Sequence, residues 1–459
     1  MPDKTFHLIS LGCAKNTVDS ESIGQLLVQD GYSHTLDPDQ AGILIVNTCG
    51  FIGPAKEESY QALSDLAAAK SEDQLLIASG CLTQRYGAEV LKRVPEIDGI
   101  LGTRRWMDIL ELVGKLRSRK HPEPLYHLPS DALTVGEDEK HIPRISIDGP
   151  SAYIKIADGC RRPCAFCAIP LIKGTVTSRP MDAIIDETRL LQQSGVRETI
   201  LIAQDTTDYG QDKGLKHGLA KLLQRMTTEV PEMDWIRIMY AYPGYVSDEL
   251  IETMAAHRQI LPYLDIPLQH GHPDTLKRMR RPANIDWVYR TIEKMRQAMP
   301  ELAIRTTFIV GYPGETEEEF HALLDFIEVL KFDRVGAFTF SFEPGTSSEP
   351  LGDPIPEEVK QERLDRLMTL QQGISLRNNQ AFIDQTLDVL IDGFADSDET
   401  GVQLAVGRSY RDAPEIDGLV FVEPHPKANH PLQIGQIIPV KITGAMTYDL
   451  TGIHNPGSY

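Results

Sequence analysis

Six cysteines form two groups of three, and the tighter group lies in the segment ADGCRRPCAFCAIP. Cys160, Cys164 and Cys167 have the spacing C-x3-C-x2-C and directly follow the apolar run AYIKIA. Three thiolates this close can ligate three irons of a 4Fe–4S cluster, which leaves the fourth iron open to another ligand. The alternative is a zinc site, but such sites usually combine two Cys/His pairs, and no second pair accompanies this one. The spacing therefore predicts a cluster with one accessible iron.

The other group, Cys13, Cys49 and Cys81, is spread over the first hundred residues. Each of these cysteines follows a strand-like run and precedes a helix-like run. Because the carboxyl ends of parallel strands meet at one edge of a sheet, the three thiols can converge there. Helix N-termini at that edge also stabilise thiolates. The alternative is three unrelated buried cysteines, but their repeated placement favours a second cluster that is held by three thiolates.

The elements that position these cysteines divide the chain into three parts. Residues 1–125 alternate apolar runs with helical segments, as in a doubly wound parallel sheet. Six further alternations, from residue 151 to about 345, are typical of a partial (β/α)6 barrel that resembles a TIM barrel. The final part has short runs between turn residues, which indicates a small antiparallel β-barrel. The strand-like runs of the first two parts are 6–12, 43–48, 75–80, 97–103, 152–157, 199–203, 235–240, 263–268, 303–311 and 334–341.

We therefore predict an α/β protein with domains at residues 1–125, 149–381 and 382–459. Residues 126–148 are rich in Pro, Gly, Asp and Glu and are predicted to be a linker. The three dispersed cysteines fall in the first domain, and the C-x3-C-x2-C segment falls in the second.

Composition narrows the class of protein. The 459 residues are 41% hydrophobic and 24% charged, which is ordinary for a globular chain. We find no apolar run near the roughly 18 residues of a membrane helix and no signal peptide, so we expect a cytoplasmic protein without a membrane contact. In that compartment, clustered cysteines bind metals or do chemistry more often than they form disulfides.

The C-x3-C-x-aromatic-C segment after the first strand of a six-unit β/α domain resembles the radical S-adenosylmethionine (SAM) enzymes. This resemblance implies that SAM chelates the open iron and that an electron from the cluster cleaves it to a 5′-deoxyadenosyl radical. Phe166 is expected to cover the cluster with an apolar side chain. Gln204 and Arg237 are predicted to contact SAM, and no catalytic residue beyond the cluster ligands is assigned. Further candidates for the same pocket are Asp205, Arg305 and His270.

Over nearly its full length, the chain is similar to the methylthiotransferases. That family combines a three-cysteine domain, a radical SAM domain and a β-barrel of TRAM type. The segments SLGCAKNTVDSE, NTCGFI, ASGCLTQRY, AQDTTDYG, MYAYP, LDIPLQHG and GRSYRDAPEIDG resemble the branch that modifies a ribosomal protein. The resemblance implies two 4Fe–4S clusters and two SAM molecules, one as methyl donor and one as radical source. It also implies an electron donor such as flavodoxin or ferredoxin, and methylthiolation of an aspartate β-carbon in small-subunit ribosomal protein twelve.

Two alternatives stay open at this point. The sibling branch of the family modifies isopentenyl-adenosine in transfer RNA, and a non-catalytic iron–sulfur protein could bind RNA through the C-terminal barrel. The net charge of −20 opposes RNA as the primary contact, because an acidic protein repels phosphates. Residues 380–459 contain eleven Asp and Glu against four Lys and Arg. An RNA-binding barrel is expected to carry a basic face, whereas an acidic barrel suits a basic ribosomal protein.

Overall fold

A computed structural model of the protein describes residues 4–118, 123–128, 140–396, 403–425 and 431–455. Its N-terminal sheet has six parallel strands in the order β2-β1-β3-β4-β5-β6. Helices α1 and α4 bury apolar side chains on one face of this sheet, and α2 and α3 cover the other face. The elements are β1 Thr5–Ser10, α1 Ala14–Gln29, β2 Ser33–His34, β3 Ile43–Thr48, α2 Gly53–Ala69, β4 Leu75–Gly80, α3 Cys81–Arg93, β5 Gly99–Gly102, α4 Ile109–Ser118 and β6 Leu125–His127.

The central sheet has seven strands in the order β15-β14-β13-β12-β11-β8-β7, and all of them are parallel except β7. Its two edge strands are not paired with each other, so the barrel is partial, as predicted. The elements are β7 Ile145–Asp148, β8 Ser151–Lys155, β9 Ala157–Asp158, α5 Ile169–Lys173, β10 Thr177–Ser178, α6 Met181–Gln193, β11 Glu198–Ile202, α7 Gly218–Glu229, β12 Trp235–Ile238, α8 Asp248–Ala256, β13 Ile260–Asp265, α9 Pro273–Arg278, α10 Ile285–Ala298, β14 Ala303–Val310, α11 Glu317–Leu330, β15 Arg334–Thr339 and α12 Glu357–Gln380.

The C-terminal strands form a closed barrel in the order β16-β17-β18-β20-β19. Its pairs are antiparallel except β18 with β20, which run parallel. Helix α12 leads into this barrel, and Leu367 and Ile374 of that helix are buried in the core of the central sheet. The barrel strands are β16 Thr386–Asp396, β17 Gln403–Ser409, β18 Val420–Glu423, β19 Ile437–Ala445 and β20 Leu450–His454.

Both flanking parts contact the concave face of the central sheet, at opposite ends of its strands. Glu198, the first residue of β11, accepts hydrogen bonds from Arg408 at the end of β17. Lys155, the last residue of β8, donates to Asp19 on α1. The C-terminal barrel therefore lies at the amino ends of the central strands. The N-terminal sheet lies at their carboxyl ends, which is the edge where α/β proteins place their sites.

Candidate active site

The structure brings the three dispersed cysteines together at the carboxyl edge of the N-terminal sheet. They lie at the ends of β1, β3 and β4, which are adjacent in the sheet. The backbones approach so closely that a Cβ added at Gly12 would lie 3.1 Å from the Sγ of Cys49. A Cβ at Gly50 would lie 2.9 Å from the carbonyl carbon of Cys81. Cys13 precedes α1 as its N-cap residue, and Cys81 is the first residue of α3.

The three thiols have different acidities. Burial acts to raise the pKa of Cys13, but Lys15, backbone N–H groups at the start of α1 and Lys173 outweigh it and lower this pKa. Burial raises the pKa of Cys49, and it raises the pKa of Cys81 to about 12. Iron binds the thiolate form, so loading a cluster here releases protons.

The C-x3-C-x2-C segment forms a loop at the carboxyl edge of the central sheet. Gly159 starts this loop with a φ of +73°, and a Cβ at this position would lie 2.0 Å from the carbonyl oxygen of Thr175. The loop folds back on itself, because the Cys160 N–H donates to the carbonyl of Gly174. Burial raises the pKa of Cys160 to about 11 and that of Cys167 to about 12. Phe166 is half-buried and, like Ile309, packs against a small apolar cluster made of Met279, Tyr312 and Phe340.

Arg281 and Tyr242 lie near this loop and were not predicted from the sequence. The Arg281 Nη1 atom donates to the Sγ of Cys164 at 3.4 Å. The hydroxyl of Tyr242 lies 3.9 Å from the same sulfur, and the guanidinium of Arg281 lies over the Tyr242 ring, 4.2 Å from its centroid. Tyr242 belongs to the MYAYP segment. The two tyrosines of this segment follow a strand, and that is the sequence pattern that could have identified Tyr242 as a site residue. A cation and a phenol beside the sulfur stabilise the negative charge of a thiolate.

The donor atoms of both groups fit 4Fe–4S clusters. Each group supplies three soft thiol ligands, and the chain has no cysteine left for a fourth. Three thiolates per cluster leave one iron open in each, which is the arrangement needed for an exchangeable ligand.

Gln204 lies just beyond the end of β11, at the same edge of the central sheet. Its side-chain oxygen is buried without a hydrogen-bond partner in the described part of the chain. A buried acceptor of this kind is uncommon and suits a ligand with an N–H donor, so it fits the amino group of SAM. The adjacent Asp205 is already engaged, because it accepts from Nε of Arg162 at 2.6 Å.

The structure places the two predicted arginines among ion pairs. Arg237 is fully buried, and it donates from Nε to Glu198 at 2.6 Å and from Nη1 to the carbonyl of Tyr410 at 2.7 Å. Arg305 donates to Asp265 at 3.1 Å and lies 3.5 Å from a carboxylate oxygen of Asp417. A contact between Arg237 and SAM stays a prediction, and it receives no support from these hydrogen bonds.

His270 is also buried, and its Nδ1 accepts from the backbone N–H of His272 at 2.9 Å. Its Nε2 lies 3.6 Å from a carboxylate oxygen of Glu315. The turn that follows β13 therefore holds one ring nitrogen of His270, and its Nε2 is buried without a hydrogen-bond partner among the described residues.

A buried ion cluster joins the two groups of cysteines. Asp19 of α1 accepts from Nζ of Lys155 at 2.6 Å and from Nζ of Lys173 at 2.7 Å, and it also pairs with Arg144. Helix α1 begins next to Cys13, and Lys173 ends the helix that follows Cys167. The charge of Lys173 acts on the thiols of both Cys13 and Cys81. The ion cluster therefore links the elements that carry the two predicted cluster sites.

Comparison with known families covers all three parts of the chain. Residues 154–327 match the model of the Radical SAM superfamily, and residues 5–102 match that of the Uncharacterized protein family UPF0004. Residues 383–454 match the TRAM domain.

Full-length relatives decide the family. The chain is 47% identical over 97% of its length to the ribosomal protein uS12 methylthiotransferase RimO of Chloroflexus aurantiacus, and the match covers 99% of that protein. The protein with the same name from Roseiflexus sp. is 43% identical, over 97% of this chain and 96% of its own. The chain belongs to the RimO family of methylthiotransferases. Membership in the RimO family confirms the predicted transferase class and favours the ribosomal-protein branch over the transfer-RNA branch.

A solved structure supports the fold of this RimO family member. The radical SAM methyltransferase TsrM from Kitasatospora setae, with cobalamin and a 4Fe–4S cluster bound, aligns with a TM-score of 0.56 and 14% identity. The alignment covers 75% of this chain and 77% of TsrM, and it concerns the fold alone. The predicted fold class and the predicted cofactors, SAM and 4Fe–4S clusters, are confirmed by the family. Among the described residues, every helix is too short or too polar to cross a lipid bilayer.

Proposed function

We propose that this enzyme attaches a methylthio group to the β-carbon of an aspartate in ribosomal protein uS12. One SAM molecule serves as methyl donor and a second as radical source. The observation that carries the proposal is the convergence of two three-thiol groups on either side of the Asp19 ion cluster, in a chain that matches uS12 methylthiotransferases over its full length.

We assign Cys160, Cys164 and Cys167 to the cluster that binds SAM, and the dispersed group to the cluster that donates sulfur. When bound, the first cluster and SAM supply a 5′-deoxyadenosyl radical that abstracts hydrogen from carbon. The protein's part is to hold the thiols, to stabilise their charge and to orient SAM. Gln204 accepts from the SAM amino group in this assignment, and Phe166 limits the access of water to the cluster.

The remaining partners are also part of this proposal. A low-potential one-electron carrier such as flavodoxin or ferredoxin reduces the SAM-binding cluster, and the ribosomal substrate implies a cytoplasmic location. RNA is not the primary contact. Not all of the acidic residues of the C-terminal part are available to repel RNA. Asp412 and Asp417 are used in buried contacts with Arg334 and Tyr263. We also propose the domain limits 1–125, 149–381 and 382–459, with the linker at 126–148, of which residues 129–139 lie outside the described residues. Both ends of this linker form strands, since β6 joins the N-terminal sheet and β7 joins the central sheet.

The experiment is intact mass spectrometry of uS12 from a strain that lacks this gene, beside its parent. We expect the parent protein alone to carry one methylthio increment, mapped to a single aspartate. Unchanged uS12 with a changed set of transfer-RNA nucleosides would contradict the proposal and support the sibling activity.

Purified variants test the division of labour between the two groups. Cys160→Ala is expected to abolish reductive cleavage of SAM. Cys81→Ala is expected to abolish methylthiolation while cleavage persists, because the SAM-binding thiols are intact. Equal loss of cleavage in both variants would refute the assignment of separate roles.

A further inference from the structure

The Lys15 side chain has no carboxylate partner in the described part of the chain, and its charge acts on the Cys13 thiol two positions before it. Its Nζ lies 3.1 Å from the centroid of the Tyr240 ring. Within the described part of the chain, the Lys15 side chain makes no hydrogen bond and no ion pair with a carboxylate. The other cations of this region, Arg144, Lys155 and Lys173, are all paired with Asp19.

The fold fixes the place of this ammonium group. Lys15 is the second residue of α1 and lies two positions after Cys13. Its neighbours Ala14 and Val18 pack in one apolar cluster with Tyr153 and Ile202, which lie on the concave face of the central sheet. Lys15 therefore lies on α1, directly after Cys13 of the dispersed group. Its side chain nevertheless reaches the carboxyl ends of the central strands, where the predicted SAM site lies.

Tyr240, which lies under the ammonium, is held in an unusual conformation. Its φ is +61°, a left-handed value that is strained for a bulky side chain. The backbone is held there because the Tyr240 N–H donates to Asp265 at 3.2 Å and its carbonyl accepts from Thr206 at 3.1 Å. An ammonium over an aromatic face is stabilised without being neutralised. The N–H donors of the Lys15 ammonium are thus available to an anion.

The proposed reaction brings an anion to this place. The substrate carbon must be within reach of both the radical source and the sulfur donor, and in an aspartate side chain that carbon bears a carboxylate. We propose that Lys15 binds the side-chain carboxylate of the substrate aspartate and so selects aspartate as the target. This inference rests on the proposed function, and it names the residue that recognises the group being modified.

The test compares uS12 with a form in which the modified aspartate is replaced by Asn, and measures Kd with the holoenzyme. An ammonium binds a carboxylate more strongly than a neutral amide oxygen, so the wild type is expected to bind the Asp form at least ~10-fold more tightly. Lys15→Met is expected to lose this preference, because its Kd for the Asp form should rise by ~10-fold more than its Kd for the Asn form. Lys15→Arg keeps the charge and should retain part of the preference. The matched control is Lys294→Met, which removes an exposed surface lysine paired with Asp248 and should behave as wild type.

Three results would overturn the inference. The first is equal binding of the Asp and Asn forms by the wild-type enzyme, a result that does not depend on whether an enzyme variant folds. The second is a preference that survives in Lys15→Met with its iron content intact. The third is a raised KM for SAM or a loss of substrate-free SAM cleavage in Lys15→Met, since the ammonium would then serve the SAM carboxylate. The proposed function fails separately, when wild-type enzyme cleaves SAM but leaves uS12 unmodified; that result would remove the basis of this inference as well.

Discussion

Single glycines determine how closely the loops that carry the thiols can approach. Gly50 follows Cys49, and a Cβ at this position would lie 2.6 Å from both N and Cα of Leu82, the residue after Cys81. These are backbone atoms, so no side chain can move aside to make room. Gly53, three positions further on, has no atom within 4 Å of such a Cβ. The pair separates the effect of a close approach from the general effect of replacing glycine.

We expect Gly50→Ala to displace the Cys49 and Cys81 loops from each other and to lose about half of the bound iron. Overpacking of this kind costs about 1–3 kcal/mol, and the loss falls on the cluster that these loops hold. Iron and sulfide content after anaerobic reconstitution measures the effect, and substrate-free SAM cleavage should persist. Gly53→Ala is the control and should retain full iron content. Full iron content in Gly50→Ala would show that the loops tolerate separation.

The sequence predicted individual residues where a pattern repeats and missed those where a contact joins distant segments. The six thiols were recognisable from their spacing and from their places after strands. Arg281 was not, because it reaches Cys164 across 117 positions of sequence and no periodic signal links the two. For Arg237, the sequence predicted the strand but not the direction of the side chain. Only the register shows that this side chain turns to Glu198 and the C-terminal barrel.

At the scale of elements, apolar alternation located the strands well, and tertiary pairing determined the rest. All ten predicted runs of the first two parts overlap a strand of the structure. The two-residue strand β2 and the three-residue strand β6 were missed because they are too short to show a period, and they form only by pairing with an existing sheet. The parallel β18–β20 pair was also missed, since strand direction in a closed barrel depends on the connections between strands.

The start of α11 is a helix boundary that side chains of the first turn stabilise. The Thr316 hydroxyl accepts from the N–H of Glu319, and the Glu319 carboxylate accepts from the N–H of Thr316, which forms a capping box. Glu319 also pairs with Arg278 of α9, so the cap ties two helices together. Such a cap satisfies N–H groups that the helix itself leaves without acceptors.

Thr316→Ala is expected to lower the free energy of unfolding by about 1 kcal/mol, because one of these N–H groups loses its acceptor. Urea denaturation of the reconstituted enzyme measures this change. Thr316→Ser keeps the hydroxyl and should unfold close to wild type. Equal destabilisation by both substitutions would mean that the methyl group of threonine, not the cap, carries the effect.

The contact between β11 and the C-terminal barrel depends on one buried carboxylate. Burial alone would raise the pKa of Glu198, but Arg237 and Arg408 outweigh it and lower this pKa to about 2, from an ordinary value of 4.5. A folded-state pKa below the unfolded value stabilises the fold fully above pH 4.5. This contribution is lost as the pH falls from 4.5 towards 2.

Glu198→Gln is therefore expected to destabilise the protein by about 3–5 kcal/mol at pH 7, because two buried arginines lose their counter-charge. The difference from wild type should be constant above pH 4.5 and should shrink below it. Urea unfolding at pH 7, 4.5 and 3.5, followed by circular dichroism, measures this trend. Glu328→Gln, at an exposed position of α11, provides the baseline. A difference that stays constant with pH would exclude the carboxylate charge as its source.

At the scale of the whole molecule, buried charges hold the flanking parts on the central sheet. The C-terminal barrel is attached through Glu198 and Arg408, and the loop after β15 is attached to the N-terminal sheet through Glu343, which pairs with Lys56 and Arg85. Asp19 has the same role beside the cysteines, where it attaches the N-terminal part to the central sheet. Burial acts to raise its pKa, but Lys155, Lys173 and Arg144 outweigh burial and lower this pKa. One carboxylate thus joins the helix after Cys13 to the helix after Cys167.

Asp19→Asn is expected to loosen this contact, because the buried Arg144, Lys155 and Lys173 would then share Asp158 as their remaining carboxylate. Breaking a buried pair in this way costs about 3–5 kcal/mol, which corresponds to a rise of roughly 100-fold or more in the population of the undocked state. Hydrogen–deuterium exchange should therefore speed up in both α1 and α5, although α5 is distant from Asp19 in sequence. Glu21→Gln, an exposed position on the same helix, should leave α5 unchanged. Methylthiolation should fall more than SAM cleavage in Asp19→Asn, since methylthiolation alone needs the two groups of cysteines to be aligned with each other. Faster exchange in α1 alone would show that the carboxylate stabilises its own helix and does not align the two sites.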